Sequence, residues 1–170
     1  SFRNYRNKKP IIIIGSLKLL NNQFKKLKIK YNLNLISFNN DKFQNLKNHK
    51  INILNIDYVF KKPFEKISFR SNIYISNCFK KAFQIIKKQK ISGLINGPIS
   101  KKYFLKNKYE GITEYLAKKF DLKEKYSMLI YNKSLAVSPI TTHLPISKVS
   151  KKITKKKIIQ KTLLISKFYE

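Results

Sequence analysis

Three short segments of this 170-residue chain carry side chains that could do chemistry. In Asn96-Gly97-Pro98-Ile99-Ser100-Lys101, the glycine lets backbone approach a ligand closely, and a helix starting after Ser100 would offer free N–H groups to an anion. Lys101 adds a positive charge there, suited to an anion contact or to carrying a proton, although an ordinary turn with a surface lysine would contain the same residues. In Glu110-Gly111-Ile112-Thr113-Glu114-Tyr115-Leu116, Thr113 is expected to cap a helix and Glu114 to sit favourably against its dipole, both of which are structural duties. In Ser138-Pro139-Ile140-Thr141-Thr142-His143-Leu144-Pro145, two hydroxyl residues precede His143 and two prolines stiffen its loop. Imidazole at the end of a strand is a common metal ligand or proton carrier, although a lone histidine is more often a structural residue than a ligand. The other histidine, His49, lies in the polar stretch Lys47-Asn48-His49-Lys50 and reads as a surface residue. Neither a Walker loop nor a G-x-G-x-x-G fingerprint occurs in the chain.

Strand and helix patterns alternate around these segments. Ile11 to Ile14, ended by Gly15, suits a buried parallel strand, and Ser16 can cap a helix with Leu17, Leu20, Phe24 and Leu27 on one face. Leu33 to Phe38 and Ile51 to Ile56 read as further strands, joined by a polar connection from Asn39 to Lys50. Ser71 opens a helix in which Ile75, Phe79, Ala82 and Ile86 recur at three- and four-residue spacing until Gly93. Leu94-Ile95 then forms a short interior strand, and Ser100 caps a helix over Lys101 to Leu105. Another helix runs from Thr113 to about Phe120, with strands near Met128 to Tyr131 and Leu135 to Val137. A last amphipathic helix follows Thr154 and uses Ile158, Ile159, Leu163 and Leu164. Such alternation predicts an α/β fold with a largely parallel sheet and helices on both faces, in which ligands gather beyond the carboxyl ends of the strands.

Composition narrows the class. The 38 Lys+Arg against 8 Asp+Glu give a net charge of +30, which raises a polyanion partner as one reading. The basic residues are spread along the whole chain, with one dense cluster at Lys151, Lys152 and Lys155 to Lys157, so compositional drift explains the charge better than a nucleic-acid role does. The 10 Tyr and 12 Phe fall mostly at core-like spacings rather than between basic residues, which argues against a stacking surface for nucleic acid. The single cysteine, Cys78, excludes an internal disulfide and a Cys-rich zinc module. No apolar run approaches the roughly 20 residues needed to span a bilayer, and no signal peptide is visible, so a cytoplasmic location with no membrane partner is expected. Ser1 is not an initiator Met and Phe168-Tyr169-Glu170 ends inside a helical pattern, so part of a longer protein is expected.

In combination and in this order, Gly97-Pro98-x-x-Lys101, Gly111-x-Thr113-Glu114-Tyr115 and Thr141-Thr142-His143-Leu144-Pro145 resemble the 4-hydroxythreonine-4-phosphate dehydrogenase family of pyridoxal phosphate biosynthesis. The likeness covers about Ser71 to Phe168 and continues more weakly from Pro10 to Ile56. It implies that residues 1–170 are the N-terminal part of a two-domain isocitrate/isopropylmalate-dehydrogenase-like fold, with no internal boundary and the C-terminal half absent. It also implies NAD-dependent oxidation and decarboxylation of a phosphorylated hydroxy amino acid to an aminoketone phosphate, by a homodimer with a divalent metal (zinc, magnesium or cobalt). Residue by residue, His143 would bind the metal, and Thr113 and the residue before it would contact the substrate. That neighbour is Ile112 here, where the family usually has histidine, so a relative acting on another phosphorylated hydroxy acid is a second reading. Two further metal histidines, the phosphate-binding basic residues and much of the NAD site are expected in the C-terminal half. A basic nucleic-acid-binding protein is the reading from a different class, and a specific nucleic-acid partner is not expected.

Overall fold

The computed structural model describes residues 10–48, 50–105 and 108–170, so His49 lies outside the described residues. Its contacts divide the chain into two compact units, the first closing at Ile99 and the second running from Ser100 to Glu170.

In the first unit, β1 (Ile11–Gly15) leads into α1 (Leu17–Lys26), then β2 (Leu33–Asn39), β3 (Lys42–Gln44), β4 (Ile51–Asn55) and α2 (Phe69–Lys88). The sheet order is β1-β4-β2-β3, with β4 parallel to both β1 and β2 and β3 antiparallel to β2. The sheet is thus mostly parallel, as expected. The hairpin is an addition to the polar connection expected after Asn39. Asn40 and Asp41 both have positive φ (48° and 59°), the conformation of a two-residue turn that matches strand twist, and both residue types tolerate it. The hairpin then aligns Phe38 with Phe43, whose rings lie 4.9 Å apart.

Central strand β4 is buried from Ile51 to Leu54. Its one polar member there, Asn52, is fully buried and fully bonded. Its Nδ2 reaches the carbonyls of Ile11, Lys47 and Lys50, and its Oδ1 accepts from Asn34 Nδ2 and Lys47 N at 2.8 and 2.9 Å. This amide ties β1, β2 and the loop before β4 together. On the face of Leu54, the core joins Ile36, Phe38 and Ile85 of α2, with Ile12, Ile14, Phe43 and Leu46 packed around them.

Helix α2 begins earlier than expected, because Ser68 and Ser71 form a reciprocal capping box. It ends at Lys88, so Gly93 does not stop it. Leu94-Ile95 is corrected from an interior strand to exposed coil, Ile95 being 97% exposed. A strand is held by pairing, and no described strand pairs with these two residues.

The second unit holds a π-helical turn (Lys101–Leu105), α3 (Ile112–Lys119), β5 (Ile130–Tyr131), β6 (Ala136–Val137), α4 (Ile146–Lys152) and α5 (Lys155–Tyr169). Leu135 to Val137 is likewise not an interior parallel strand. Leu135 lies in a turn, where its carbonyl accepts from Asn132 N, and β6 pairs antiparallel with β5 as an exposed two-residue ribbon. Helix α5 starts at the expected cap, with Thr154 Oγ1 accepting from Lys157 N, but Ile158, Ile159 and Leu163 are exposed rather than packed. Among the described residues no helix is long and apolar enough to cross a membrane.

Candidate active site

The second unit positions the N-terminus of α3 through aromatic packing. Tyr115 is buried and meets Phe104 and Tyr109 edge-on, at centroid distances of 5.5 and 5.2 Å. Burial, reinforced by Tyr109, raises the pKa of its hydroxyl. Leu105, at the end of the π-helical turn, is also buried. These contacts fix Gly111, which caps α3 with extended backbone and without a side-chain bond, its carbonyl accepting from Tyr115 N at 3.2 Å. The expected cap at Thr113 is therefore corrected. The chain enters the helix two residues earlier, and Thr113 is its second residue.

Four residues converge at this point. A Cβ on Gly111 would stand 2.8 Å from Glu114 Oε2 and 3.7 Å from His143 Nε2. Thr142 Oγ1 donates to Glu114 Oε1 over a long 3.5 Å. The absent side chain of Gly111 thus leaves a cradle faced by a carboxylate oxygen and an imidazole nitrogen. Glu114 Oε2 is buried and meets no hydrogen-bond donor among the described residues. His143 is exposed and adopts φ 54°, a left-handed conformation uncommon for a residue with a side chain and worth a functional explanation.

The hydroxyl of Tyr126 has a raised pKa, chiefly through burial and then through the charges of Glu114, Glu110 and Glu124. Lys161 caps the far side of Tyr126, donating to its carbonyl and lying over its ring. Burial and Lys157 lower the pKa of that ammonium.

Of the residues singled out from sequence, His143 reaches the convergence directly and Ile112 and Thr113 stand at its edge, both half-buried in the first turn of α3. Lys101 is exposed at the start of the π-helical turn, where Ser100 Oγ accepts from Tyr103 N at 3.4 Å. Among the described residues no hydrogen bond or ion pair joins the side chains of Lys101, Ile112 or Thr113 to Glu114 or His143. Glu114 was read from sequence as a dipole partner alone. Its signal was its place three residues after Gly111, one helical turn on, where its side chain folds back over the cap.

At the carboxyl edge of the first unit's sheet, internal hydrogen bonds hold the start of α1. Ser16 N donates to Tyr74 Oη at 2.8 Å, Leu17 N to Asn55 Oδ1 at 2.9 Å and Leu19 N to Ser16 Oγ at 3.2 Å. Three N–H groups at the start of α1, those of Ser16, Leu17 and Leu19, are thus bonded within the protein.

The family model of the pyridoxal phosphate biosynthetic protein PdxA matches residues 6–170. The chain belongs to the PdxA family. It is similar to the 4-hydroxythreonine-4-phosphate dehydrogenase of Sulfurihydrogenibium sp. (strain YO3AOP1), with 33% identity over 161 residues, which are 94% of this chain and 48% of that protein. The enzyme of the same name from Aquifex aeolicus (strain VF5) is 29% identical over 97% of this chain and 50% of its own length. That of Campylobacter jejuni subsp. jejuni (strain 81-176) is 29% identical over 89% and 44%. The chain spans about half the length of the curated relatives it matches. In this PdxA-family chain the convergence on Gly111 draws together two of the three segments that carried the family resemblance, 110–116 and 138–145.

Proposed function

We propose that this chain supplies the substrate- and metal-facing edge of a dehydrogenase that oxidises 4-hydroxythreonine 4-phosphate. The observation that carries the reading is the meeting of His143, Thr142, Gly111 and Glu114, within a chain whose relatives bear that activity in their names. The complete enzyme is read as a homodimer of two-domain isocitrate/isopropylmalate-dehydrogenase-like subunits in the cytoplasm.

The residues present fit a divalent cation in part. An imidazole nitrogen faces a cradle beside a buried, unpaired carboxylate oxygen, a setting that lowers the electrostatic cost of positive charge. No group of three or more His, Cys, Asp or Glu among the described residues completes a metal set, so His143 is read as one ligand of several. When bound, such a cation would withdraw charge from the substrate hydroxyl and lower its pKa. His143 holds its imidazole at the cradle through a stiff loop between Pro139 and Pro145. Thr113, in the first turn of α3, is placed to hydrogen-bond the substrate, whereas Ile112 can offer it only apolar contact. That feature keeps a related phosphorylated hydroxy acid open as the substrate. Lys101 is assigned an anion contact or a proton transfer on the strength of its position after Gly97-Pro98. NAD is the expected hydride acceptor, and much of its site is assigned to the remainder of the protein.

The test is His143→Asn in the full-length protein. Asparagine tolerates the left-handed backbone at this position but lacks the imidazole. The expected outcome is loss of turnover and a fall of at least about 100-fold in zinc affinity, with an unchanged melting temperature. Unchanged zinc affinity with a lowered melting temperature would remove His143 from the site.

A further inference from the structure

Helix α5 is the longest element of the second unit, yet none of its residues is buried. An isolated helix of about 12–15 residues is marginal in water, and most helices are held by an apolar face packed against a neighbour. Leu164 and Ile165 are half-buried, and the Lys161 ammonium donates to the Tyr126 carbonyl and lies over that ring, which ties α5 to its own unit. Another part of the helix surface has no such neighbour. Ile159 and Leu163 stand one turn apart and are 49% and 64% exposed. With Lys155, Lys156 and Gln160 they line an open groove along the helix. Lysine stems add apolar surface to such a groove while their ammonium groups stay in water. An apolar centre with a charged rim is the anatomy of an interface.

Charge argues against a second copy as the occupant. From Ile146 to Tyr169 the sequence has eight lysines and no acidic residue, and each chain carries a net charge of +30. Two such faces brought together would set lysine against lysine, an arrangement that interfaces avoid. The chain matches two relatives over 94% and 97% of its own length but only 48% and 50% of theirs. A protein of their size therefore brings about as much chain again. We propose that the groove at Ile159 and Leu163 seats a segment of the same polypeptide that follows Glu170, and that this segment meets Lys155 and Lys156 with carboxylates. The identity of the substrate plays no part in this inference, which rests on the exposed groove, its charge and the length of the relatives.

The experiment puts the photo-crosslinker p-benzoylphenylalanine in place of Leu163 in the full-length protein. After irradiation, the products are read by denaturing mass spectrometry and peptide mapping. The expected result is a cross-link from position 163 to a peptide beyond Glu170, in a product with the mass of one chain. In the wild type, the amides of α5 should exchange hydrogen at least about 100-fold more slowly than those of an unstructured chain. Lys155→Glu combined with Lys156→Glu should speed that exchange about 10-fold by opposing like charges, whereas arginine at both positions should leave it unchanged. A product of doubled mass overturns the proposal in favour of a second copy, and cross-links confined to residues 1–170 overturn it in favour of packing within this chain. Protein that forms no cross-link alone but co-sediments with phosphatidylserine vesicles, with α5 protected only then, overturns it in favour of a lipid surface. Fast exchange without any cross-link leaves α5 solvated and overturns it as well. An unchanged rate in the glutamate variant overturns the assignment of carboxylates to the covering segment.

Discussion

Tyr74 and Cys78 stand one turn apart on α2, and each is shielded from water at the edge of the first sheet. Tyr74 Oη accepts from Ser16 N, and its ring stacks on Tyr58 at 4.6 Å. A Cβ on Gly15 would stand 2.9 Å from that oxygen, so glycine is what lets the tyrosine close over the strand. Burial pushes the Tyr74 hydroxyl up from 10.0 to about 12 and the Cys78 thiol up from 9.0 to about 11. Both groups hold their protons more tightly in the folded state, so the stability they contribute is complete below pH 9 and is lost as pH rises. Cys78 should account for the loss between pH 9 and 11, and Tyr74 for that between pH 10 and 12. Urea midpoints should fall from pH 8 to pH 11, and fall less in Cys78→Ala. A flat profile across that range would show that neither group is shielded. The half-buried setting of Cys78 with its raised pKa makes it an inert thiol.

At the scale of elements, β4 shows where pattern reading succeeds and where it stops. Ile51 to Ile56 identified the strand, because alternation and β-branching favour extended backbone whatever surrounds it. A polar residue such as Asn52 suggests a position open to water, yet it is fully buried, since β1, β2 and the loop at Lys47 close around it. Asn52→Ala should cost about 3 kcal/mol, because it removes the acceptor of the Lys47 amide and the buried side-chain bonds to Asn34 and to the carbonyls of Ile11, Lys47 and Lys50. Equilibrium unfolding measures the cost, and a loss below about 1 kcal/mol would mean that water replaces the amide. The cap at Ser16 and the face of α2 were legible for the same local reason as β4. The hairpin at Asn40-Asp41 was not, because polar residues in a connection do not announce that both take positive φ.

For the whole molecule, charge and uncovered apolar surface dominate. The lysines of α4 and α5 include the densest cluster, with Lys151, Lys152, Lys155 and Lys156 exposed. The ion pair of Lys88 with Asp41 is itself solvent-exposed and contributes little. If the charge of +30 reflects composition rather than recognition, the full-length protein should bind DNA weakly and without sequence preference. Binding should then fall steeply between about 50 and 200 mM salt. Sequence-selective binding that survives physiological salt, measured by fluorescence anisotropy, would promote the nucleic-acid reading. Ile95, Ile146 and Leu163 are strongly exposed in a chain spanning about half the length of its relatives. The strand expected at Leu94-Ile95 is missing for a related reason, since backbone groups without a neighbouring strand bond to water instead.

The sequence by itself determined the family, the α/β alternation and the segments that meet at the site. Those properties reside in residue types at short spacing and in motifs that survive without any knowledge of packing. Only the tertiary structure decided that Gly111, rather than Thr113, caps α3, and that Glu114 turns inward to share a cradle with His143. That meeting joins residues 28 or more positions apart, across a distance no local pattern encodes. It is set by Tyr115 seating the helix against Phe104 and Tyr109, and by the positive φ that turns His143 toward the cap.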